Sequence, residues 1–397
     1  MGRTGELDRR IQAGPANFAL LVRRGEASWA EFADRIAGFG GDRFVLVADA
    51  AAPADVLARV RAVAAAIAPC TVLTRPGPPP ARPPARPTAD GRTVVIALGG
   101  ERACGVPADI RLPTTLAAAC GPALTLLRPP PDAARAPART APARTAPART
   151  ALARTAPART APARTAPART APALVWVRSD LLAGRPAPET RAGMVEVVRH
   201  VLAVCPAQFA ALARTLRPDA RYTPETLAAC LVLCADARAA LVCFDPFETG
   251  PALALGYGRR LGEAVRSTVA TASGVALAPG DADALGLILA ARIAAGLGLL
   301  DGAGAWAHNE LLARNGSATA LPAPPAGADA RDLAAALTTA AGPGLLLLAG
   351  LGRPHCAGGR LLTPVDAAAL LAAVGGPGRT VVPHSRGLAP DCLSAAG

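Results

Sequence analysis

The chain of 397 residues is 51% hydrophobic but only 3% aromatic, with 39 Gly and 40 Pro. Its length suits two domains plus some unpacked sequence, and its cores must be built from Ala, Leu and Val. No lysine occurs, so all 42 cationic side chains are arginine, and the formal net charge is +13. A guanidinium stays protonated in proteins, which excludes reactions that need a neutral amine. No apolar run approaches the roughly 18 residues of a membrane span, and the start MGRTGELDRR lacks the apolar stretch of a signal peptide. A soluble cytoplasmic protein is expected. The nine cysteines are scattered without a CxxC pair, as reduced core thiols would be.

After a polar start, Phe44-Val45-Leu46-Val47-Ala48-Asp49 reads as a buried strand ending in an acid. Residues 55–68 carry helical spacing, and Cys70-Thr71-Val72-Leu73 is a second strand. Pro76 to Pro87 is proline-dense and reads as an extended loop. Thr93-Val94-Val95-Ile96-Ala97-Leu98 runs as a strand into Gly99-Gly100. Alternation of this kind predicts a parallel α/β sheet with helices on its faces.

From Ala136 to Thr170 the pentad Ala-Pro-Ala-Arg-Thr occurs seven times, one copy carrying Leu152 for proline. Proline at this density forbids a continuous helix, and nothing here can bury a core. The tract reads as disordered or polyproline-like, and without it the net charge falls to +6. Arginines at this spacing would attract nucleic acid, but no aromatics are interleaved to stack bases, so a nucleic-acid partner is not expected.

Helical patterns then follow at 189–204, 224–240, 258–271, 281–298 and 330–341, with little strand signal between them. The predicted organisation is an α/β domain over 1–135, the pentads over 136–173, an all-helical domain over 174–378 and a flexible tail over 379–397.

Several stretches resemble the sugar-phosphate cyclases, the group of 3-dehydroquinate synthase and 2-deoxy-scyllo-inosose synthase. Val94 to Gly100 resembles the family's strand and glycine turn, and Leu112-Pro113-Thr114-Thr115-Leu116 its PTTL motif. Ala192-Gly193-Met194-Val195-Glu196-Val197-Val198-Arg199 is similar to its AGMAEVIK helix. Residues Arg238 to Val265 keep the spacing of KAxVVxxDxxExGxRxxLNxGHTxGHAxE, and Pro279 to Leu287 that of HGEAVAxGM. The resemblance implies an N-terminal Rossmann-like dinucleotide-binding domain followed by a helical C-terminal domain, with the active site between them. It also implies cyclisation of a phosphorylated sugar, with NAD as transient oxidant and a zinc ion, held by one Glu and two His, as Lewis acid.

Carried over position by position, the resemblance keeps the metal carboxylate as Glu196 but puts Arg259 and Pro279 where the two metal histidines belong, and neither can ligate zinc. Glu263 replaces a proton-handling histidine and is the candidate base, while Arg199 and Arg238 stand at substrate-binding lysine positions as candidate anion clamps. Asp49, Gly99, Gly100, Thr114 and Thr115 are the candidate nucleotide contacts. Glu101 follows the shortened glycine turn, where a carboxylate would repel pyrophosphate. These departures imply an impaired cyclase homologue with NAD binding weakened or lost and zinc not bound. Two alternatives stay open: an active NAD-dependent cyclase with an altered or absent metal site, or a non-enzymatic scaffold. A homodimer is expected in either case, without membrane association.

Other residues carry weaker signals. Glu196 and His200, four apart on one helix, could with Cys205 form a relocated metal site. Cys230 and Cys234 read as core packing, and His355-Cys356 as a loop pair rather than a nucleophile. Arg259, Arg260 and Arg266 form either an anion pocket or a solvated face.

Overall fold

The computed structural model describes residues 6–14, 16–75, 92–125, 171–246, 248–273, 277–321 and 330–375. The proline-dense loop, the pentads and the tail after residue 375 lie outside these residues.

The chain opens with a hairpin of β1 (Leu7–Ala13) and β2 (Ala16–Arg23), antiparallel with Leu7 opposite Val22. The polar look of this segment hides it from sequence reading, because the β1 burial alternates and most of its outward side chains are charged. Next come α1 (Ser28–Ala37), β3 (Arg43–Asp49), α2 (Ala54–Ala65), β4 (Cys70–Arg75) and β5 (Thr93–Gly99). They are followed by α3 (Glu101–Cys104), β6 (Ile110–Pro113), α4 (Leu116–Cys120) and β7 (Leu174–Arg178). The seven strands form one sheet in the order β1-β2-β7-β6-β5-β3-β4, parallel except for β1.

β7 corrects the expectation that everything from residue 174 is helical. All five of its residues are buried, and it pairs with β2 on one side and β6 on the other. The chain therefore returns from the pentads into the middle of the sheet. Its side chains alternate between two cores: Leu174 and Trp176 join Phe32, Ile36, Val56 and Val60 of α1 and α2, whereas Val175 and Val177 face the opposite core.

That second core is continuous with the helical half. It is built from α5 (Ser179–Ala183), α6 (Ala187–Ala203), α7 (Phe209–Thr215), α8 (Pro224–Val242), α9 (Arg259–Ser273), α10 (Pro279–Gly296), α11 (Gly302–Arg314) and α12 (Ala330–Ala341). Four two- or three-residue strands follow, β8 (Leu345–Leu346), β9 (Leu348–Gly350), β10 (Arg353–Pro354) and β11 (Leu362–Thr363), pairing β8 with β11 and β9 with β10, before α13 (Ala367–Gly375). Cys230 and Cys234 are buried in this core, as expected.

The helices that carry the candidate site begin where the residue types dictate. Thr115 caps α4 by accepting a hydrogen bond from the Ala118 N–H at 3.2 Å, and Thr223 caps α8 through the Thr226 N–H at 3.3 Å. α9 and α10 meet backbone to backbone: a Cβ on Gly286 would lie 2.3 Å from the Gly258 carbonyl oxygen and 2.5 Å from the Gly262 nitrogen. Among the described residues, no helix is long and apolar enough to cross a membrane.

Candidate active site

The chain runs from β3 outward to β4 and then crosses back to place β5 on the other side of β3. That reversal opens a crevice at the carboxyl ends of β3 and β5, where parallel α/β sheets bind ligands. Asp49 ends β3 and Gly99-Gly100 follow on from β5, so the sequence-predicted nucleotide contacts do converge. Gly99 has φ +139°, and a Cβ there would fall 2.4 Å from the Asp49 Cβ, so only glycine fits. A Cβ on Gly100 would sit 3.5 Å from Asp49 Oδ2 and 3.9 Å from Thr115 Oγ1. Asp49 Oδ1 accepts from the Ala51 N–H at 3.0 Å. Thr114 is buried, with its N–H bonded to the Gly99 carbonyl at 2.9 Å.

This arrangement fits a dinucleotide only in part. Asp49 supplies a carboxylate where such folds hold a ribose hydroxyl. The pyrophosphate seat does not fit: α3 spans only four residues and opens with Glu101. Glu101 is exposed to solvent, although protein atoms crowd its carboxyl on the cleft side. Burial, then the neighbouring Glu196 and Asp283, push its carboxyl up to about 7, against the pull of Arg259 and Arg199.

Across the cleft, Glu196 on α6 is 2% exposed and carries two guanidiniums. Arg199, one turn on, donates to Glu196 Oε1 through Nη1, and Arg259 Nη2 donates to Oε1 and Oε2 at 3.2 and 3.3 Å. Burial would raise the Glu196 carboxyl, but the charges of Arg199 and Arg259 outweigh it and hold it down at about 2. Arg199 is fully buried: its Nε donates to the Tyr257 carbonyl at 2.8 Å, and its Nη2 lies 3.5 Å from Asp283 Oδ1. Arg266 Nη2 approaches the same Asp283 oxygen at 3.8 Å. Burial keeps Asp283 above the usual carboxylate range, with the Glu196 charge adding to it and the nearby guanidiniums opposing. Behind Arg199, the Tyr257 hydroxyl donates to Nε2 of buried His308 at 3.0 Å, and His308 Nδ1 donates to the Gly304 carbonyl at 2.7 Å.

The residues present do not fit a zinc ion. Glu196 is the one carboxylate in the expected donor set, and its oxygens already accept from guanidiniums. A hydrogen-bonded guanidinium on each side leaves no room for a third cation, and arginine offers no lone pair. Among the described residues no group of three or more His, Cys, Asp or Glu side chains could hold a metal. The relocated trio does not assemble: His200 Nδ1 is bonded to the Glu196 backbone carbonyl at 2.7 Å, and Cys205 Sγ donates to the His200 carbonyl at 3.4 Å.

The expected anion clamps meet protein rather than solvent. Arg238, 3% exposed, is paired with Glu248, as Arg199 is with Glu196 and Asp283. Glu263 is exposed on α9, and the ion cluster forms without it. The arginine trio splits. Arg259 and Arg266 enter the cluster, and Arg260 stays on the exposed face. His355 Nδ1 lies 2.9 Å from Thr363 Oγ1, while Cys356 is exposed and outside that hydrogen bond. Sequence reading missed Asp283 and the titration of Glu101. The motif alignment flagged both stretches, but the partners become visible only when α3, α6, α9 and α10 meet.

The fold class is thus a Rossmann-like α/β layer joined to a helical domain, with the candidate site between them. The 3-dehydroquinate synthase C-terminal family matches residues 193–339. A 2-deoxy-scyllo-inosose synthase of Streptomyces lividus is 33% identical over 214 residues, 51% of this chain and 55% of that protein. The namesake of Streptomyces fradiae is 38% identical over 150 residues, 37% of this chain and 34% of the relative. The chain thus spans about half or less of the length of these curated relatives. A crystal structure of 2-deoxy-scyllo-inosose synthase with carbaglucose-6-phosphate, NAD+ and Co2+ superposes with a TM-score of 0.71 at 21% identity, covering 93% of this chain and 99% of that one. A 2-epi-5-epi-valiolone synthase of Streptomyces hygroscopicus with NAD+ and Zn2+ gives 0.61 at 14% identity, covering 90% and 96%. The helical half of the chain is thus similar to the 3-dehydroquinate synthase C-terminal family, and the described chain shares the fold of the sugar-phosphate cyclases.

Proposed function

We propose that this protein is a 3-dehydroquinate synthase-like sugar-phosphate cyclase homologue that is impaired in the cyclisation itself. One observation carries the reading: the Glu196 carboxylate, expected on a metal, is neutralised by Arg199 and Arg259. A fixed guanidinium balances the acid's charge but has no open coordination position with which to polarise a substrate carbonyl. On the sheet side, Glu101 opposes a pyrophosphate at the glycine turn. NAD binding is read as weakened accordingly. A phosphorylated sugar remains the ligand class, in line with the carbaglucose-6-phosphate bound by the structural relative; a homodimer and a cytoplasmic location remain part of the proposal.

The test is turnover. Purified full-length chain, given NAD, zinc or cobalt, and a hexose or heptulose phosphate, should release no inorganic phosphate and form no carbocycle. Phosphate release with a carbocyclic product and stoichiometric metal would refute the reading. A second reading, metal-free activity, draws support from one feature: Glu101, brought to about 7, could pass a proton near neutral pH beside Arg259. It is a better placed base than Glu263. If this reading holds, Glu101→Gln abolishes turnover and Glu263→Gln leaves it intact.

A further inference from the structure

Away from the cleft, α7, the turn after it and the start of α8 border an open cavity of about 610 Å³. Its lining is Arg214, Arg217 and Arg221 with the hydroxyl-bearing Thr215, Tyr222, Thr223 and Thr226. We infer that this cavity is a second binding site, for a small molecule carrying a diphosphate or two neighbouring phosphates.

Charge is the first argument. Some arginines of the described surface pair with acids: Arg9 meets Asp236, Arg24 meets Glu225, Arg35 meets Glu31 and Arg314 meets Glu310. No such pair forms among the described residues for Arg214, Arg217 or Arg221, all exposed. Two acids flank the turn, and neither forms an ion pair with these three arginines. Asp219 Oδ1 accepts from the Arg221 backbone N–H at 3.1 Å, and Glu225 turns to Arg24. Three like charges around one concavity repel one another, and a multiply charged anion relieves that repulsion while accepting charge-assisted hydrogen bonds. α8, 19 residues long, adds the partial positive charge of its first turn at the same wall.

Shape is the second argument. The arginine-bearing turn is tied down. The Tyr222 hydroxyl accepts from the Arg217 N–H at 2.9 Å, and Arg191 Nη2 donates to the Pro218 carbonyl at 2.9 Å. Ala220, at φ +53°, is buried beneath the turn. The backbone is therefore set before any ligand arrives, which lowers the ordering cost of binding. The volume suits a phosphorylated metabolite; a nucleic-acid strand would need an open track and stacking rings.

Inorganic pyrophosphate is the probe, titrated by calorimetry into the full chain at fixed ionic strength. Saturable one-to-one binding is expected, weakened about tenfold by Arg217→Ala and by a similar factor by Arg221→Ala. Arg266→Ala, in the cleft, should leave the pyrophosphate affinity unchanged. Circular dichroism and melting of each variant check folding; the Arg217 and Arg221 side chains are exposed, and Arg266 is half-buried. Binding abolished by Arg266→Ala but indifferent to the two turn variants would assign the anion to the cleft and overturn the proposal. So would no saturable binding, or tighter and steeply salt-dependent binding of duplex DNA at the same residues. The inference does not depend on whether the cleft is active.

Discussion

On the sheet side of the cleft, the residues expected at a nucleotide lie together: Asp49 ends β3, and Gly99 packs against it at a distance no other residue tolerates. On the helical side the backbone is kept just as closely, with Gly258, Gly262 and Gly286 letting α9 and α10 touch. There, however, the side chains have been exchanged for a self-contained ion cluster of Glu196, Arg199, Arg259, Asp283 and Arg266. The sheet wall leaves Glu101 without a salt bridge among the described residues, at about 7, while the helical wall holds Glu196 at about 2. Glycine packing constrains shape independently of chemistry. A fold can therefore stay superposable on metal-dependent relatives while its charges pair among themselves.

The sharpest way to break this contrast is to empty the helical wall. Arg199→Ala strips a fully buried cation from Glu196 and Asp283 and should cost about 3–5 kcal/mol in urea unfolding, the range for a buried ion pair left with one partner. An effect within a few tenths of a kcal/mol would show that the cluster does not hold the wall.

Next in size is an acid effect behind that wall. Burial pushes His308 down to about 4, so between pH 6.5 and 4 the unfolded chain takes up a proton that the folded chain refuses. Stability should fall across that window by about 3 kcal/mol and then level off. In His308→Gln this component should vanish from the pH dependence of the melting midpoint.

Arg259 is partly exposed, and Arg199 remains to hold Glu196 in its absence. Arg259→Ala should therefore cost less, about 1–3 kcal/mol by the same unfolding measurement. The smallest change concerns the sheet wall and has the opposite sign with pH. A carboxyl raised to about 7 contributes stability fully present below the unfolded value near 4.5 and lost as pH rises through 7. Glu101→Gln should thus raise stability above pH 7 by about 1 kcal/mol or less, because the side chain keeps contact with solvent.

Much of this was legible in the sequence, and the gaps have physical causes. The strands β3, β4 and β5 and the long helices follow from apolar period and punctuation, and Glu196, Arg259 and the glycine turn follow from the resemblance. β7 is hidden because residues 114–173, the pentads among them, separate it from its sheet neighbour β6, and the β1–β2 hairpin because charged side chains line its outer face. The ion cluster was half visible. The family pattern has Glu where this chain has Arg266, and Val where it has Asp283. Each looks like drift alone; that the two side chains meet, at 3.8 Å, is visible only in the fold. Arg199 and Arg238 resemble anion clamps because sequence carries charge but not partners, and in the fold the protein's own acids meet them first.

The most direct test of guanidinium in place of metal is the thermal midpoint of the wild-type chain in excess zinc and again in EDTA, with metal content measured after desalting. Ligands that bind only the folded state raise the midpoint. The expected result is the same midpoint in both buffers and no stoichiometric zinc retained. One zinc per chain, with a midpoint that drops on chelation, would contradict the account.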